Sequence, residues 1–248
     1  MKTTYILFCL IATILAVNWP TSTKTTSLSS PITINEGETY DGFQVNNNQW
    51  VTYDRGLKNL GDCTKIEGGS KDPVFILKKG ATLKNVILGG GSIEHVHCVG
   101  DGCTLQNVFW VDVCEDAWTL KGSTNTGAKF YLKGGAAKDA SDKIIQHNSA
   151  GTVYVSDFYA ENSGKLYRSC GNCKSGYQNQ RKVEFNNVTT KNVKVVAGIN
   201  VNYGDEAKFN GVSFSGGHAC QRFTGNNNGK EPQGIDYVDR TDSSWTCK

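Results

Sequence analysis

The hydrophobic positions of the chain recur in a four-residue pattern. An apolar residue and any second residue are followed by Asn, Asp or Gly, and then by another apolar residue. The pattern occurs five times: Leu83-x-Asn85-Val86, Leu105-x-Asn107-Val108, Val155-x-Asp157-Phe158, Phe185-x-Asn187-Val188 and Phe209-x-Gly211-Val212. The final residues are 22, 50, 30 and 24 positions apart. A unit of 22 to 25 residues fits if the longest interval holds two units, with a poorly matching copy near AKFYLKGG, and if the 30-residue interval carries an insertion.

This repeat predicts a coil of short strands. Asn, Asp and Gly tolerate left-handed backbone conformations, so each copy predicts a sharp bend between two strands. Repetition at this period with little helical signal is typical of stacked parallel strands about 4.8 Å apart. The Leu-x-x-Leu-x-Leu frame of leucine-rich repeats is absent, and the strands of a β-sandwich would alternate more regularly. We therefore predict an all-β, right-handed parallel β-helix in a single domain.

The N-terminal residues predict export. Lys2 precedes an apolar run, Tyr5 to Val17, that is too short to span a bilayer comfortably. We expect a secretory signal peptide over 1–17, an N-terminal linker over 18–30, and a β-helix domain with a loop-rich, disulfide-tied C-terminal end over 31–248. The mature chain is expected to be secreted and extracellular.

The cysteines agree with an oxidising compartment. Eight follow the expected signal: Cys63, Cys98, Cys103, Cys114, Cys170, Cys173, Cys220 and Cys247. An even number in an exported chain favours disulfides over metal thiolates. Their connectivity is open at this point, although a bridge between Cys170 and Cys173 is expected.

The charge of the chain excludes some partner classes. The net charge is +3, or about +2 once Lys2 leaves with the signal, which is too small to predict binding to nucleic acid or to a membrane surface. A monomer is expected. Any anionic ligand must be recognised by local clusters of cations.

Three acids recur at the coil period. Glu94 precedes Glu115 by 21 residues and Asp116 by 22, so the three carboxylates are expected at similar points of adjacent coils. Carboxylates so close would raise one another's pKa, and a divalent cation removes that difficulty. Oxygen ligands favour calcium. A solvated turn at Glu115 and Asp116, or a zinc site using the HVHC stretch, are the alternatives.

Cations follow on the next coils at the same spacing. Lys143 and Lys165 are 22 residues apart, and Arg168 follows closely. An acidic metal shelf beside a cationic strip suits a polyanion whose carboxylates bridge calcium and pair with Lys or Arg.

Several stretches together resemble a known family. The chain from about Ile32 to Phe214 is similar to polysaccharide lyase family 3 pectate lyases. The resemblance rests on DPVFILKKGATLKNVILG, EHVHCVGDGCTLQNVFWVDVCEDAWTLKG, DKIIQHNSAGTVYVSDFYAENSGKLYRSCGNC and VEFNNVTTKNV. It implies a parallel β-helix that binds Ca²⁺ and cleaves polygalacturonate by β-elimination.

The resemblance also implies roles for individual residues. The calcium carboxylates would be Glu94, Glu115 and Asp116. Lys143 would be the general base, and Lys165 and Arg168 would hold a substrate carboxylate or assist the leaving oxygen. Which of Lys143 and Arg168 takes the proton stays open at this point. Lys121 matches a charged, substrate-binding position. His95 departs from the small residue common in the family, and its bulk beside Glu94 is expected to alter the site.

The chemistry gives a pH expectation. A lysine has an ordinary pKa of about 10.4, and neighbouring cations would lower the pKa of Lys143, so activity is expected at alkaline pH. A polygalacturonase-type hydrolase, which needs two carboxyl groups at the bond, and a non-catalytic pectin-binding protein are the alternative functions.

Overall fold

The computed structural model describes residues 17–248. The expected signal peptide, apart from Val17, therefore lies outside the described residues. Within 17–248, no helix combines the length and the hydropathy needed to cross a membrane.

Nearly all regular elements of the described chain are strands. Their bounds are β1 Lys24–Ser27, β2 Ile32–Ile34, β3 Thr39–Asp41, β4 Val51–Asp54, β5 Phe75–Leu77, β6 Thr82–Leu88, β7 Val96–Val99, β8 Thr104–Trp110, β9 Asp116–Lys121, β10 Lys129–Lys138, β11 Lys143–His147, β12 Gly151–Ser169, β13 Arg181–Asn200, β14 Glu206–Ser215, β15 His218–Thr224, β16 Gln233–Val238 and β17 Ser244–Cys247. One short helix, α1, spans Gly42–Val45, and 3₁₀ turns span Cys63–Lys65 and Val201–Tyr203.

The strands stack in parallel columns, which confirms the predicted parallel β-helix. One column runs β2, β5, β7, β9, β11, β12, β13 and β15. A second runs β3, β6, β8, β10, β12, β13 and β14. The long strands β12 and β13 contribute to both columns because each bends twice, β12 at Asp157 and Asn162 where φ is 54° and 50°. Apolar side chains, among them Trp110, Trp118 and Tyr167, fill the interior of the coil.

The bends lie where the repeat predicts them. Asn85, Asn107, Asp157 and Asn187 all have φ between 51° and 55°. Their side chains form ladders along the coil, since Asn107 donates to Asn85 at 3.2 Å and Asn187 donates to Asp157 at 2.6 Å. Each bend is therefore stabilised both by a residue that tolerates positive φ and by an amide hydrogen bond to the next coil.

The poorly matching copy is present in β10. Leu132 pairs with Leu105 on one side and with Val155 on the other, and Gly134 makes the bend with φ 68°. Gly135 occupies the second apolar position, opposite Val108. A Cβ at Gly135 would collide with the carbonyl oxygen of Val108. Close approach of the backbone, rather than loss of the coil, explains why the pattern fails here.

Both ends of the coil differ in detail from the expectation. β1 lies within the segment 18–30 that was expected to be a linker, and it pairs in parallel with β4. At the C-terminal end, β16 and β17 pair antiparallel with β15 and β14, and a Cys220–Cys247 disulfide ties the last strand down. The tail thus covers the open end of the column with strands rather than with loops alone.

Candidate active site

Strand register brings two of the predicted cations and one predicted acid into a row. Asp116 of β9 pairs with Lys143 of β11, which pairs with Lys165 of β12. Three positions further along the same strands, Thr119, Gln146 and Arg168 form a second row. The coil period therefore converts separations of 22 to 27 residues in sequence into neighbouring positions on one face.

A cleft of about 760 Å³ lies along this face. All seven predicted site residues line it: Glu94, Lys121, Glu115, Asp116, Lys143, Lys165 and Arg168. The acids and the cations thus share one groove, as the spacing predicts.

The three carboxylates are largely withdrawn from water. Glu94 accepts a hydrogen bond from Thr119 Oγ1 at 3.1 Å, and Glu115 accepts one from the backbone N–H of Gly68 at 2.5 Å. Burial, and next the charge of Glu94, raise the pKa of Glu115 to about 7. Burial raises the pKa of Asp116 well above its ordinary value, against the attraction of Lys143. The cluster is consequently costly to ionise without a compensating cation.

The carboxylate oxygens of Glu94, Glu115 and Asp116 are of the type that a hard divalent cation prefers, although the three groups do not converge on one position. In residues 17–248, no group of three His, Cys, Asp or Glu side chains is arranged to hold a metal ion by itself. However, Oδ1 of Asp116 is buried and accepts no hydrogen bond, its one neighbour of opposite charge being Lys143 at 3.3 Å. The backbone of Gly68 packs directly against Glu94 and Glu115, and a Cβ at this position would collide with Cγ of Glu94, so any larger residue would displace the carboxylates. Water and a ligand carboxylate would have to complete a calcium shell.

Lys143 is held by acids on two sides. Its ammonium group pairs with Asp116 and, more closely, with Asp142, which also lies 3.5 Å from the Nζ of Lys165. Burial lowers the pKa of Lys143, but the two carboxylates outweigh burial, and the pKa is raised above its ordinary value. The expectation that neighbouring cations lower this pKa is therefore wrong for the described structure, because the groups nearest to Lys143 are anions.

Arg168 has the opposite environment. It is 7% exposed, its guanidinium lies 3.9 Å from the ring centroid of Phe223, and burial lowers its pKa to about 10. Nη1 donates to the carbonyl of Ser169 at 2.7 Å and to Oδ1 of Asn200 at 3.0 Å. In the described part of the chain, Nε and Nη2 donate no hydrogen bond. These atoms are free to engage a ligand in the cleft.

Lys121 lines the cleft, and the buried His97 lies between it and Glu94. The Nζ of Lys121 lies 3.4 Å from Nε2 of His97, which in turn lies 3.3 Å from Glu94. His95 is wholly buried, and its Nε2 lies 3.0 Å from the carbonyl of Gly89. His95 is directed away from the cleft, so the predicted crowding of Glu94 by its side chain does not occur. Cys98 is engaged in a disulfide with Cys103, which removes it from any zinc site.

Disulfides anchor the two loops beside the cleft. Cys63–Cys114 ties the segment that carries Gly68 to the residue just before Glu115. Cys170–Cys173, the bridge expected from sequence, closes the turn that follows Arg168.

Four residues around the site were not predicted from sequence. They are Thr119, Asp142, Asn200 and Asp205. Asp142 directly precedes Lys143, and Thr119 lies three positions after Asp116 on the same strand, so proximity to predicted site residues would have found them. Asn200 lies 32 residues from Arg168, beyond the repeat period because of the insertion between β12 and β13, and no pattern in the sequence marks it.

Comparisons with known proteins agree on one family. The family profile described as Pectate lyase matches residues 16–230. Pectate lyase E of Emericella nidulans is 48% identical over 215 residues, covering 86% of this chain and 78% of that protein. Probable pectate lyase F of Aspergillus fumigatus is 44% identical over 219 residues, covering 88% of each.

Solved structures show the same architecture. The catalytic domain of pectate lyase PelI from Erwinia chrysanthemi is 29% identical with a TM-score of 0.69, covering 85% of this chain and 92% of that domain. The structure of PelI in complex with tetragalacturonic acid is 30% identical with a TM-score of 0.64, covering 85% of this chain and 66% of that protein.

Proposed function

The chain belongs to the pectate lyase family and is a polysaccharide lyase acting on polygalacturonate, and we propose that it works by calcium-dependent β-elimination with Arg168 as the base. The observation that carries this proposal is the contrast between the two candidate bases. Arg168 is buried, its pKa is lowered to about 10, and it has free N–H groups at the cleft. Lys143 is held in its charged form by two carboxylates.

The reaction requires removal of a weakly acidic proton. The proton leaves C5, which bears the carboxylate, and its bonding electrons form the C4–C5 double bond. The C4–O4 bond breaks, and its electron pair stays on the leaving oxygen. In the proposal, neutral Arg168 takes the C5 proton at Nη2. The leaving oxygen regains a proton from the Lys165 ammonium group or from water.

The remaining cations bind and orient the substrate. Lys143 and Lys165 occupy paired positions on adjacent strands, so their side chains leave the coil at about the 4.8 Å strand spacing. Such a row suits the carboxylates of a galacturonate chain lying in the groove. Lys121, at the acidic end, is proposed to bind a further carboxylate. Holding these charges keeps C5 within reach of Arg168.

Glu94, Glu115 and Asp116 are the proposed calcium ligands. Bound there, Ca²⁺ would stabilise the enolate-like charge that develops on the substrate carboxylate as the proton leaves. In its absence, the three carboxylates remain clustered in the cleft, and burial raises the pKa values of Glu115 and Asp116. For this reason, we expect metal binding to increase the stability of the folded enzyme.

Location is proposed from the disulfides and the N-terminus. All eight cysteines of the described chain are paired, which is typical of an oxidising compartment. We propose a secreted enzyme, released by cleavage of the signal peptide over 1–17, that acts as a monomer.

One assay tests the proposal. Elimination creates a double bond that absorbs in the near ultraviolet, whereas hydrolysis does not. The purified enzyme should raise this absorbance on polygalacturonate, and a chelator should abolish the rise until calcium is restored. Arg168→Ala should lose at least about 10³-fold in kcat, whereas Lys191→Ala, an exposed lysine outside the cleft, should be unchanged. Release of reducing sugar without a rise in near-ultraviolet absorbance would indicate a hydrolase. Binding of polygalacturonate without formation of either product would indicate a non-catalytic protein.

A further inference from the structure

The inner edge of the Arg168 guanidinium contacts only neutral acceptors. Nη1 donates to the carbonyl of Ser169, to Oδ1 of Asn200 and, at 3.5 Å, to the carbonyl of Gly198. Among the described residues, no carboxylate forms an ion pair with this guanidinium. A buried arginine usually carries such a partner, because leaving a charge unpaired in a protein interior is costly.

The side-chain amide of Asn200 is held in one orientation. It is wholly buried. Its Nδ2 donates to Oγ of Ser169 at 2.8 Å, to the carbonyl of Cys170 at 3.0 Å and to Oδ2 of Asp205 at 3.1 Å. Since these three partners are acceptors at Nδ2, Oδ1 must face Arg168. The amide cannot flip without losing every one of these bonds.

The buried carboxylate of Asp205 is separated from the Arg168 guanidinium by the side-chain amide of Asn200. Asp205 is almost wholly buried, and its Oδ2 also accepts from Oγ of Ser169 at 2.5 Å and from the backbone N–H of Asn200 at 3.0 Å. Its Oδ1 accepts from the backbone N–H of Arg181 at 2.8 Å. The carboxylate is thus fully engaged, and it balances charge in this region without touching Arg168.

We propose that Asn200 and Asp205 are positioning residues for Arg168: the neutral amide fixes Nη1 while it keeps the negative charge of Asp205 out of contact, so that the guanidinium can give up a proton inside the fold. This inference rests on the proposed role of Arg168 as the base. It assigns a function to two residues outside the acid and cation rows.

The charges around Arg168 agree with this arrangement. Burial is the largest influence and lowers its pKa, Asp205, Tyr167 and Glu231 raise it, and Arg181 lowers it. A carboxylate moved into hydrogen-bond contact with Nη1 would favour the charged form further, typically by 1–3 pKa units, so about tenfold or more. Loss of the Asp205 charge would act in the opposite direction.

Two variants separate this role from a merely structural one. Asn200→Asp combined with Asp205→Asn moves the carboxylate next to Arg168 and conserves the buried charge, whereas Asp205→Asn alone removes the charge. The rate is measured with saturating calcium at pH 8.5, on the rising limb of the pH profile below the pKa of Arg168. We expect kcat to fall about tenfold or more in the combined variant and to rise severalfold in Asp205→Asn, with KM within about twofold of the parent enzyme.

Folding is checked by near-ultraviolet circular dichroism and thermal unfolding. If the combined variant does not fold, the isosteric Asp205→Asn decides alone, since an unchanged or lower kcat at pH 8.5 would overturn the inference. If both fold, pH profiles that coincide with the parent profile would overturn it. Arg168→Ala distinguishes the two proposals. If Arg168→Ala is active, the assignment of Arg168 as the base is refuted. If Arg168→Ala is inactive and the Asn200 and Asp205 variants keep the parent pH profile, only the role of Asn200 and Asp205 is refuted.

Discussion

Lys143 stands directly across the strand register from Asp116, and their side chains form a 3.3 Å ion pair in the floor of the cleft. Both side chains are mostly buried, so the pair gains more from Coulomb attraction than an exposed pair would. The same ammonium group is shared with Asp142. A lysine in this setting is a fixed positive charge, suited to binding a carboxylate, rather than a group that gives up its proton.

Lys143→Ala should therefore impair binding more than chemistry. We expect KM for polygalacturonate to rise about tenfold or more, because a charge-assisted hydrogen bond to substrate is lost, while kcat changes less. Steady-state kinetics at saturating calcium measures both values, with Lys191→Ala as the control. A fall in kcat of several orders of magnitude at constant KM would instead make Lys143 the base.

Calcium should stabilise the folded enzyme as well as activate it. A cation that binds only the folded state at 100 times its Kd adds about 2.7 kcal/mol, which for a chain of this size raises Tm by about 5–10 °C. Thermal unfolding with chelator and with calcium measures the shift. Glu115→Gln should reduce the shift and raise the calcium concentration needed for half-maximal effect, and exposed Glu36→Gln should not. An equal shift in Glu115→Gln would remove that carboxylate from the site.

The repeat spacing was sufficient to predict the coil and the shared face of the cleft. The repeat is predictive because each Asn, Asp or Gly fixes a bend of the coil, so residues one period apart must lie side by side. Lys143 and Lys165, 22 residues apart, are aligned for this reason, whereas the 27 residues between Asp116 and Lys143 exceed the 22–25 residue unit.

The repeat does not determine the environments of individual side chains. The pKa of Lys143 depends on which way the adjacent Asp142 points, and the repeat does not fix this. Asn200 contacts Arg168 from two positions beyond Gly198, the register partner of Arg168, and Asp205 contacts Asn200 in turn, so no repeat position marks either residue. His95 lies just before β7, which begins at Val96, and the repeat likewise does not fix the direction of its side chain.

Turnover should increase with pH across the neutral and alkaline range. The base must be neutral to accept a proton, and burial lowers the pKa of Arg168 to about 10. Below that value the neutral fraction grows about tenfold per pH unit, so log kcat should rise with a slope near one and level off close to pH 10. The measurement is kcat from pH 6 to 11 at saturating substrate and calcium. A maximum near pH 5 would contradict any Arg or Lys base.

The asparagine ladder should contribute to stability in two separable ways at Asn187. This residue has φ 54°, and its Nδ2 donates to Oδ1 of Asp157 at 2.6 Å. Asn187→Gly removes the hydrogen bond, but glycine adopts the positive φ without strain, so the free energy of unfolding should fall by about 1 kcal/mol. Asn187→Ala adds the cost of a Cβ in the left-handed region, for about 2 kcal/mol or more in total. Gly211 makes the corresponding bend on the next coil with φ 59°, so glycine is compatible with this corner. Denaturant unfolding of both variants measures the difference, and an alanine variant as stable as the glycine variant would show that backbone strain does not limit this bend.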